Sequence, residues 1–218
     1  MIKLISHTYD PNNGFTPEQL VVFSARVSNP TNQHNMETAP RLINFLIKNR
    51  HWSPFEMVNF TFEIKTTRAI AAQILRHRSF SFQEFSQRYS TVNNIHPVDL
   101  RKQAVKNRQS SEDEFIDNEL ESKINKLFKE STELYQEMLD KGVAREVSRG
   151  VLPLNSETTL YMNGNVRSWL SWLNVRLETY TQKEHRDLAV SIGTELAKFL
   201  PDTYEATNKF GNMEGGFM

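Results

Sequence analysis

Between Val58 and Lys65 the chain alternates without a break: Val58, Phe60, Phe62 and Ile64 are apolar, and Asn59, Thr61, Glu63 and Lys65 are polar. A period of two predicts a β-strand with one buried face, and the rest of the chain must supply the cover for that face. The period then changes abruptly. Thr66 or Thr67 can cap a helix through Arg68-Ala-Ile-Ala-Ala-Gln-Ile-Leu, in which Ile70, Ala71, Ile74 and Leu75 form a stripe at helical spacing.

The end of this helix and the segment beyond it are chemically dense. From Gln73 to Tyr89 the chain carries three arginines, a histidine, three serines, a glutamate and three phenylalanines. Arginine forks suit phosphate and carboxylate, serines are short donors, and phenylalanines can flank a flat ring. Arg76-His77-Arg78 also falls near the helix's C-terminal end, where the helix dipole favours cations. The residues themselves leave both readings open, a phosphate or nucleotide site and a solvated basic helix end.

Composition narrows the field. Lys+Arg and Asp+Glu are both 26, so no global field draws a polyanion, and extended DNA or RNA is not an expected partner. Apolar runs such as Leu42-Ile-Asn-Phe-Leu-Ile47 are too short to span a bilayer, and the N-terminus lacks a signal-peptide pattern. A cytoplasmic protein with no membrane partner is expected. Cysteine is absent, which removes disulfides, thiolate ligands and any cysteine nucleophile. No acidic cluster has metal-site spacing, and no metal is expected. The glycines form neither G-x-G-x-x-G nor a Walker A pattern, so a dinucleotide would bind without a Rossmann crossover. With no linker in 218 residues, one domain is expected over residues 1–207, with a flexible tail over 208–218.

Taken in order, Met1 to Ser6 reads as a short strand. Thr16-Pro17-Glu18-Gln19 carries a capping box and opens a helix through Leu20, Val21, Phe23 and Val27, with Arg26 an exposed charge. Thr38 can cap a third element whose core is Leu42, Ile43, Phe45, Leu46 and Ile47. His51-Trp-Ser-Pro-Phe-Glu56 is turn-like. Thr91 to Ser111 reads as a loop. From Ser111 a long helix is expected, with Leu120, Ile124, Leu127, Ser131, Leu134 and Met138 at alternating spacings of four and three, ending at Gly142. That stripe suits packing on this chain or on another subunit. In Arg145-Glu-Val-Ser-Arg149 the two arginines lie one turn apart, with Glu146 able to pair with either. Thr158 to Met162 predicts a short strand ending in an Asn163-Gly164 turn. A helix is then expected through Trp169, Leu170, Trp172, Leu173 and Leu177, and a last one from Gln182 to Pro201.

Arg76-His77-Arg78, seven further residues, Ser86 and then Gln87-Arg88-Tyr89-Ser90 resemble the signature of the flavin-dependent thymidylate synthases. The resemblance extends over most of residues 1–205. It implies an α+β fold, a single domain with a small central sheet flanked by long helices, assembled as a homotetramer with shared active sites. For dUMP it implies Gln73, Arg76, Glu84, Phe85, Ser86, Gln87, Arg88, Arg149 and Arg176, with Arg88 and Arg149 converging on the phosphate. Arg149 lies in a segment similar to the family's Arg-Glu-x-x-Arg-x-x-Leu-Pro element. For FAD it implies Ser28, Ser53, Glu56, Arg76, His77, Arg78, Glu84, Asn165 and Arg167. His51-Trp-Ser-Pro-Phe-Glu56 is similar to the family's His-x-[Ser/Thr]-Pro-Phe-Glu element, and Asn165-Val-Arg167 to its Asn-x-Arg. Ser171 and Tyr180 depart from the pattern, which has asparagine and often histidine there.

The implied reaction is reductive methylation of dUMP, with 5,10-methylenetetrahydrofolate as carbon donor and FAD recharged by NADPH. The implied catalytic residues are Arg176, His51 and Ser86. Arg176 falls where the family's arginine stabilises the uracil as N3 loses its proton. Ser86 has no evident triad partner in the sequence and is expected to be a hydrogen-bond donor rather than a nucleophile. The alternative class is a non-enzymatic nucleotide- or RNA-binding module that stacks bases on the phenylalanines, which zero net charge disfavours.

Overall fold

The computed structural model describes residues 1–92 and 94–210. In chain order the elements are β1 (Ile2–His7), α1 (Pro17–Ala25), α2 (Ala39–Lys48), β2 (Asn59–Thr67), α3 (Arg68–Ile74), β3 (Ser81–Glu84), β4 (Arg101–Gln103), β5 (Ser111–Glu114), α4 (Asn118–Asp140), α5 (Arg145–Ser148), β6 (Glu157–Asn165), α6 (Val166–Arg176), α7 (Lys183–Ala197) and α8 (Pro201–Phe210). Four strands form a small sheet in the order β1-β2-β6-β3, and β4 and β5 form a separate antiparallel pair. The fold is α+β.

Contacts within the chain cluster into two units. One holds Met1, residues 64–76 and residues 83–160; the other holds 2–63, 77–82 and 161–218. Neither is a continuous segment, which explains why no shift in composition marks a boundary.

In the unit built from 2–63, 77–82 and 161–218, the core is aromatic. Trp169 packs against Phe62 at 5.2 Å, Phe80 at 4.7 Å and Trp172 at 5.8 Å between ring centroids. Its indole N–H donates to the carbonyls of Gly164 and Phe60, so a buried donor is satisfied. Asn163 and Gly164 do not turn; they continue β6. A Cβ on Gly164 would lie 2.4 Å from the Phe80 ring, so glycine stands here to let that ring approach the strand.

Helices α1, α2, α7 and α8 complete this unit. α1 has the expected capping box, with Thr16 Oγ1 accepting from the Gln19 N–H and Gln19 Oε1 from the Thr16 N–H. The Thr38 hydroxyl does not cap α2, because it accepts from Arg26 at 2.7 Å. Arg26 is correspondingly buried, not an exposed charge. Phe45, expected in the core, is 52% exposed and meets His51 edge-on. Pro201 is not a stop; it opens α8 at the first helical position, where a missing N–H costs nothing. The Glu18 carboxylate accepts from the Asp202 and Thr203 N–H groups at 3.2 and 2.7 Å, capping α8 from the far end of the chain. Burial pushes the Glu18 pKa up, against the pull of those bonds. α8 ends at Phe210, and residues 211–218, most of the expected tail over 208–218, lie outside the described ones.

In the other unit α4 is the main helix, capped by Asp117 Oδ1 on the Leu120 N–H. It starts later than Ser111, because 111–114 pair with 101–103 as β5 and β4. That pair is matched by charge, Arg101 opposite Glu114 and Lys102 opposite Glu112, and therefore shows no apolar alternation. The heptad stripe of α4 divides. Ile124, Ser131 and Met138 are half-buried, whereas Leu120, Leu127 and Leu134 are 39%, 61% and 46% exposed. Among the described residues no helix is long and apolar enough to cross a membrane.

Candidate active site

Helix α6 organises the chemistry of the aromatic unit. Asn165 caps it, its Oδ1 accepting from the Ser168 N–H at 2.9 Å, so the positive end of the helix dipole opens beside Arg167. Arg167 in turn pairs with Glu56, on the 3-10 turn Ser53–Glu56. These three line a cleft of about 640 Å³, inside the range of roughly 300–1,000 Å³ typical of ligand sites. Arg50, Trp52, Ser79, Ser168, Leu170 and Ser171 complete its walls. An aromatic wall, a helix N-terminus and two guanidiniums suit a ligand that is flat at one end and anionic at the other.

At the other end of α6 stands Arg176. It donates to His77 Nε2 through both Nε and Nη2, at 3.0 and 2.7 Å. Nine residues separate it from Arg167, about 14 Å along the helix axis at 1.5 Å per residue. The Trp172 ring lies 6.4 Å from the His77 ring and 5.7 Å from the His185 ring, centroid to centroid. His185 is fully buried, and desolvation, followed by the charge of Arg176 and that of His77, pushes its pKa down to about 3.

In the unit holding 83–160 a second cleft, about 350 Å³, is lined by Ser86, Arg88, Tyr89, Ala144, Arg145 and Glu146. Arg88 pairs with Glu146 at 3.1 Å, so Glu146 pairs with neither arginine of its own segment. Both side chains are more than half exposed, so the pair is weak and an incoming dianion can displace it. The described lining brings Arg145, not Arg149, beside Arg88; Arg149 is half-buried where α5 ends. Glu84 accepts from Arg68 at 2.6 Å and from the Thr158 hydroxyl at 3.0 Å, held by two partners the sequence did not suggest. The Phe85 N–H donates to the Thr159 carbonyl, and Gln87 is buried. Gln73 is half-buried near the end of α3, and Arg76 is exposed just beyond it.

Of the residues expected at a flavin, Glu56, Asn165 and Arg167 meet at the larger cleft, and His77 meets Arg176. Ser28, Ser53 and Arg78 are not among the cleft's described lining; Ser28 and Ser53 are exposed. His51 is exposed too, against Phe45. Ser171, which departs from the family pattern, is nevertheless on the cleft wall, while Tyr180 is 58% exposed. Sequence reasoning missed Arg50, Trp52, Ser79, Ser168 and Leu170. Trp52 was within reach, since it lies inside the segment that supplies Glu56.

The family model described as thymidylate synthase complementing protein matches residues 3–202. A flavin-dependent thymidylate synthase of Synechocystis is 49% identical over 190 residues, covering 85% of this chain and 87% of its own. A probable flavin-dependent thymidylate synthase of Paramecium bursaria Chlorella virus 1 is 44% identical over 209 residues, covering 94% and 97%. Among solved structures, a UMP/dUMP methylase from Streptomyces cacaoi bound with 5-Br dUMP is similar with a TM-score of 0.83 and 28% identity, over 97% of this chain and 95% of that one.

Proposed function

The chain belongs to the flavin-dependent thymidylate synthase family, and on that premise we propose that it methylates dUMP to dTMP in the cytoplasm, with 5,10-methylenetetrahydrofolate as carbon donor and NADPH as reductant of FAD. The observation that carries this reading is α6, whose first turn lines an electropositive cleft and whose last residue is a guanidinium oriented by a histidine.

The cleft's residues fit a flavin dinucleotide. Trp52 and Leu170 offer apolar surface for a tricyclic ring, Asn165, Ser79 and Ser168 offer polar groups, and Arg167 with the helix N-terminus favours phosphate. Bound there, FAD would supply the hydride that completes the methyl group, and with no cysteine in the sequence no thiol addition can activate the uracil ring. Glu56 holds the Arg167 fork in position.

The chain's own groups deal with the pyrimidine. Arg176 stabilises the negative charge that develops as uracil N3 gives up its proton, and its bond to His77 fixes it before substrate arrives. Ser86 donates a hydrogen bond, and Arg88 takes the phosphate on release from Glu146, with Arg149 as its second contact. Gln73, Arg76, Glu84, Phe85 and Gln87 complete the nucleotide site, and His51 belongs to the catalytic pocket. Ser28, Ser53 and Arg78 reach the flavin from outside the cleft's walls.

A homotetramer with shared sites accounts for the outward leucines of α4, which a lone chain leaves in water. Sedimentation of the native chain against a Leu127→Glu variant tests this; a native monomer overturns it.

The function is tested with purified chain, dUMP, methylenetetrahydrofolate, FAD and NADPH. A yellow protein that forms dTMP is expected. A colourless protein that yields none would refute the reading.

A further inference from the structure

Arg50 has φ +57°, the left-handed conformation, and is the one non-glycine residue with positive φ among those described. It closes α2. Its N–H donates to the Ile47 carbonyl at 3.0 Å, and the His51 N–H reaches back to the Leu46 carbonyl at 2.8 Å. Those two bonds make a Schellman closure, with Arg50 at the position that glycine ordinarily fills because a Cβ there crowds the backbone.

The turn itself does not call for an arginine side chain. Glycine would make the same two backbone bonds without strain, and Asn49, a residue type that tolerates this region, sits one position too early to serve. Strain of this kind gathers where a binding site requires the side chain. Arg50 lines the same cleft as Trp52, Glu56, Asn165 and Arg167. The charged residues on that wall are two guanidiniums, Arg50 and Arg167, and one carboxylate, Glu56. A ligand carrying phosphate is the complement, and a guanidinium suits it through two parallel N–H bonds.

We propose that Arg50 is a further cofactor-binding residue, taking the diphosphate of the flavin dinucleotide in the α6 cleft. This rests on the flavin reading above. The residue's two properties then have one explanation: the left-handed backbone is tolerated because the side chain it carries is needed where the helix ends. The closure also starts the segment that delivers Trp52 and Glu56 to the same wall, so the turn and the contact are built together.

The test uses flavin-depleted full-length protein as wild type, Arg50→Gly and Arg50→Lys. Arg50→Gly should melt at a higher temperature than wild type when flavin-free, because glycine relieves the strained position. Its dissociation constant for FAD should rise about tenfold or more, the worth of a lost charge-assisted bond. Its affinity for riboflavin, which lacks phosphate, should be unchanged. Arg50→Lys should fall between the two for FAD. Equal loss of FAD and riboflavin would make Arg50 merely structural and overturn the proposal. So would unchanged FAD affinity in Arg50→Gly, including the case in which only the KM for NADPH rises, which would assign the diphosphate to the other dinucleotide. Wild-type protein that binds no flavin at all would instead overturn the functional reading and this proposal with it.

Discussion

The guanidinium of Arg176 points two N–H groups at a single nitrogen, Nε2 of His77. Arginine carries donors only, so in this contact the ring nitrogen is the acceptor. The pair thus arranges a fixed positive charge before any ligand is present. Replacing Arg176 with alanine should lower dTMP formation by about 100-fold or more, the usual effect of removing one prepositioned electrostatic group. Flavin content per chain should fall far less. His77→Ala should slow turnover less than Arg176→Ala, and the double variant should be no worse than Arg176→Ala, since the two act as a unit. Flavin and turnover lost in equal proportion in Arg176→Ala would contradict this assignment.

Ser86→Ala should still methylate dUMP. A nucleophilic serine needs a hydrogen-bonded base, and the cleft that Ser86 lines offers two arginines, a tyrosine and Glu146, whose carboxylate is engaged by Arg88. Loss of a neutral hydrogen bond costs about 0.5–1.5 kcal/mol, a fall of about twofold to tenfold in kcat/KM. Steady-state kinetics with dUMP and flavin titrations decide. Zero turnover with both ligands still bound would restore the nucleophile.

Gly164→Ala should destabilise the fold by about 1–3 kcal/mol, the range for overpacking a core. The added methyl meets the Phe80 ring, which Trp169 holds from its other contact at 4.7 Å and which has nowhere cheap to go. Denaturant midpoints should show it. Adding Phe80→Leu to Gly164→Ala should recover part of the loss; a midpoint unchanged by Gly164→Ala alone would show that the ring moves freely.

Acid should weaken the fold through His185. Its folded pKa lies near 3 against an ordinary value of 6.5, so below pH 6.5 the unfolded chain takes up a proton that the folded one refuses. Its effect on stability is absent above about pH 6.5 and grows as pH falls toward 3, reaching on the order of 5 kcal/mol at most. His185→Phe should flatten the melting temperature between pH 4 and pH 6 relative to wild type. Parallel pH profiles for the two proteins would disprove it.

Features decided by neighbours in the chain were readable from the sequence. The Thr16–Gln19 capping box, the Thr67 cap on α3 and the alternation of β2 all depend on residues within a few positions of one another. Features decided across long separations were not. Asn163-Gly164 has the composition of a turn, yet it continues β6, with the Phe80 ring packed where a Cβ on Gly164 would stand. The Thr38 hydroxyl is drawn from its cap by Arg26, twelve positions away. The period of α4 was legible, yet which half of its stripe faces outward depends on what packs against the helix. At the site, motif residues Glu56, Asn165 and Arg167 line one cleft, whereas Arg50 escaped notice because nothing local distinguishes an arginine with positive φ.

The bond from Glu18 to the start of α8 spans 184 positions. During synthesis the first helix emerges long before its carboxylate can find those donors, so until the eighth helix clears the exit tunnel a nascent chain carries an acid ready to be buried without a partner. α1 therefore lacks this partner until α8 has been made, and the two helices can lock together only after that.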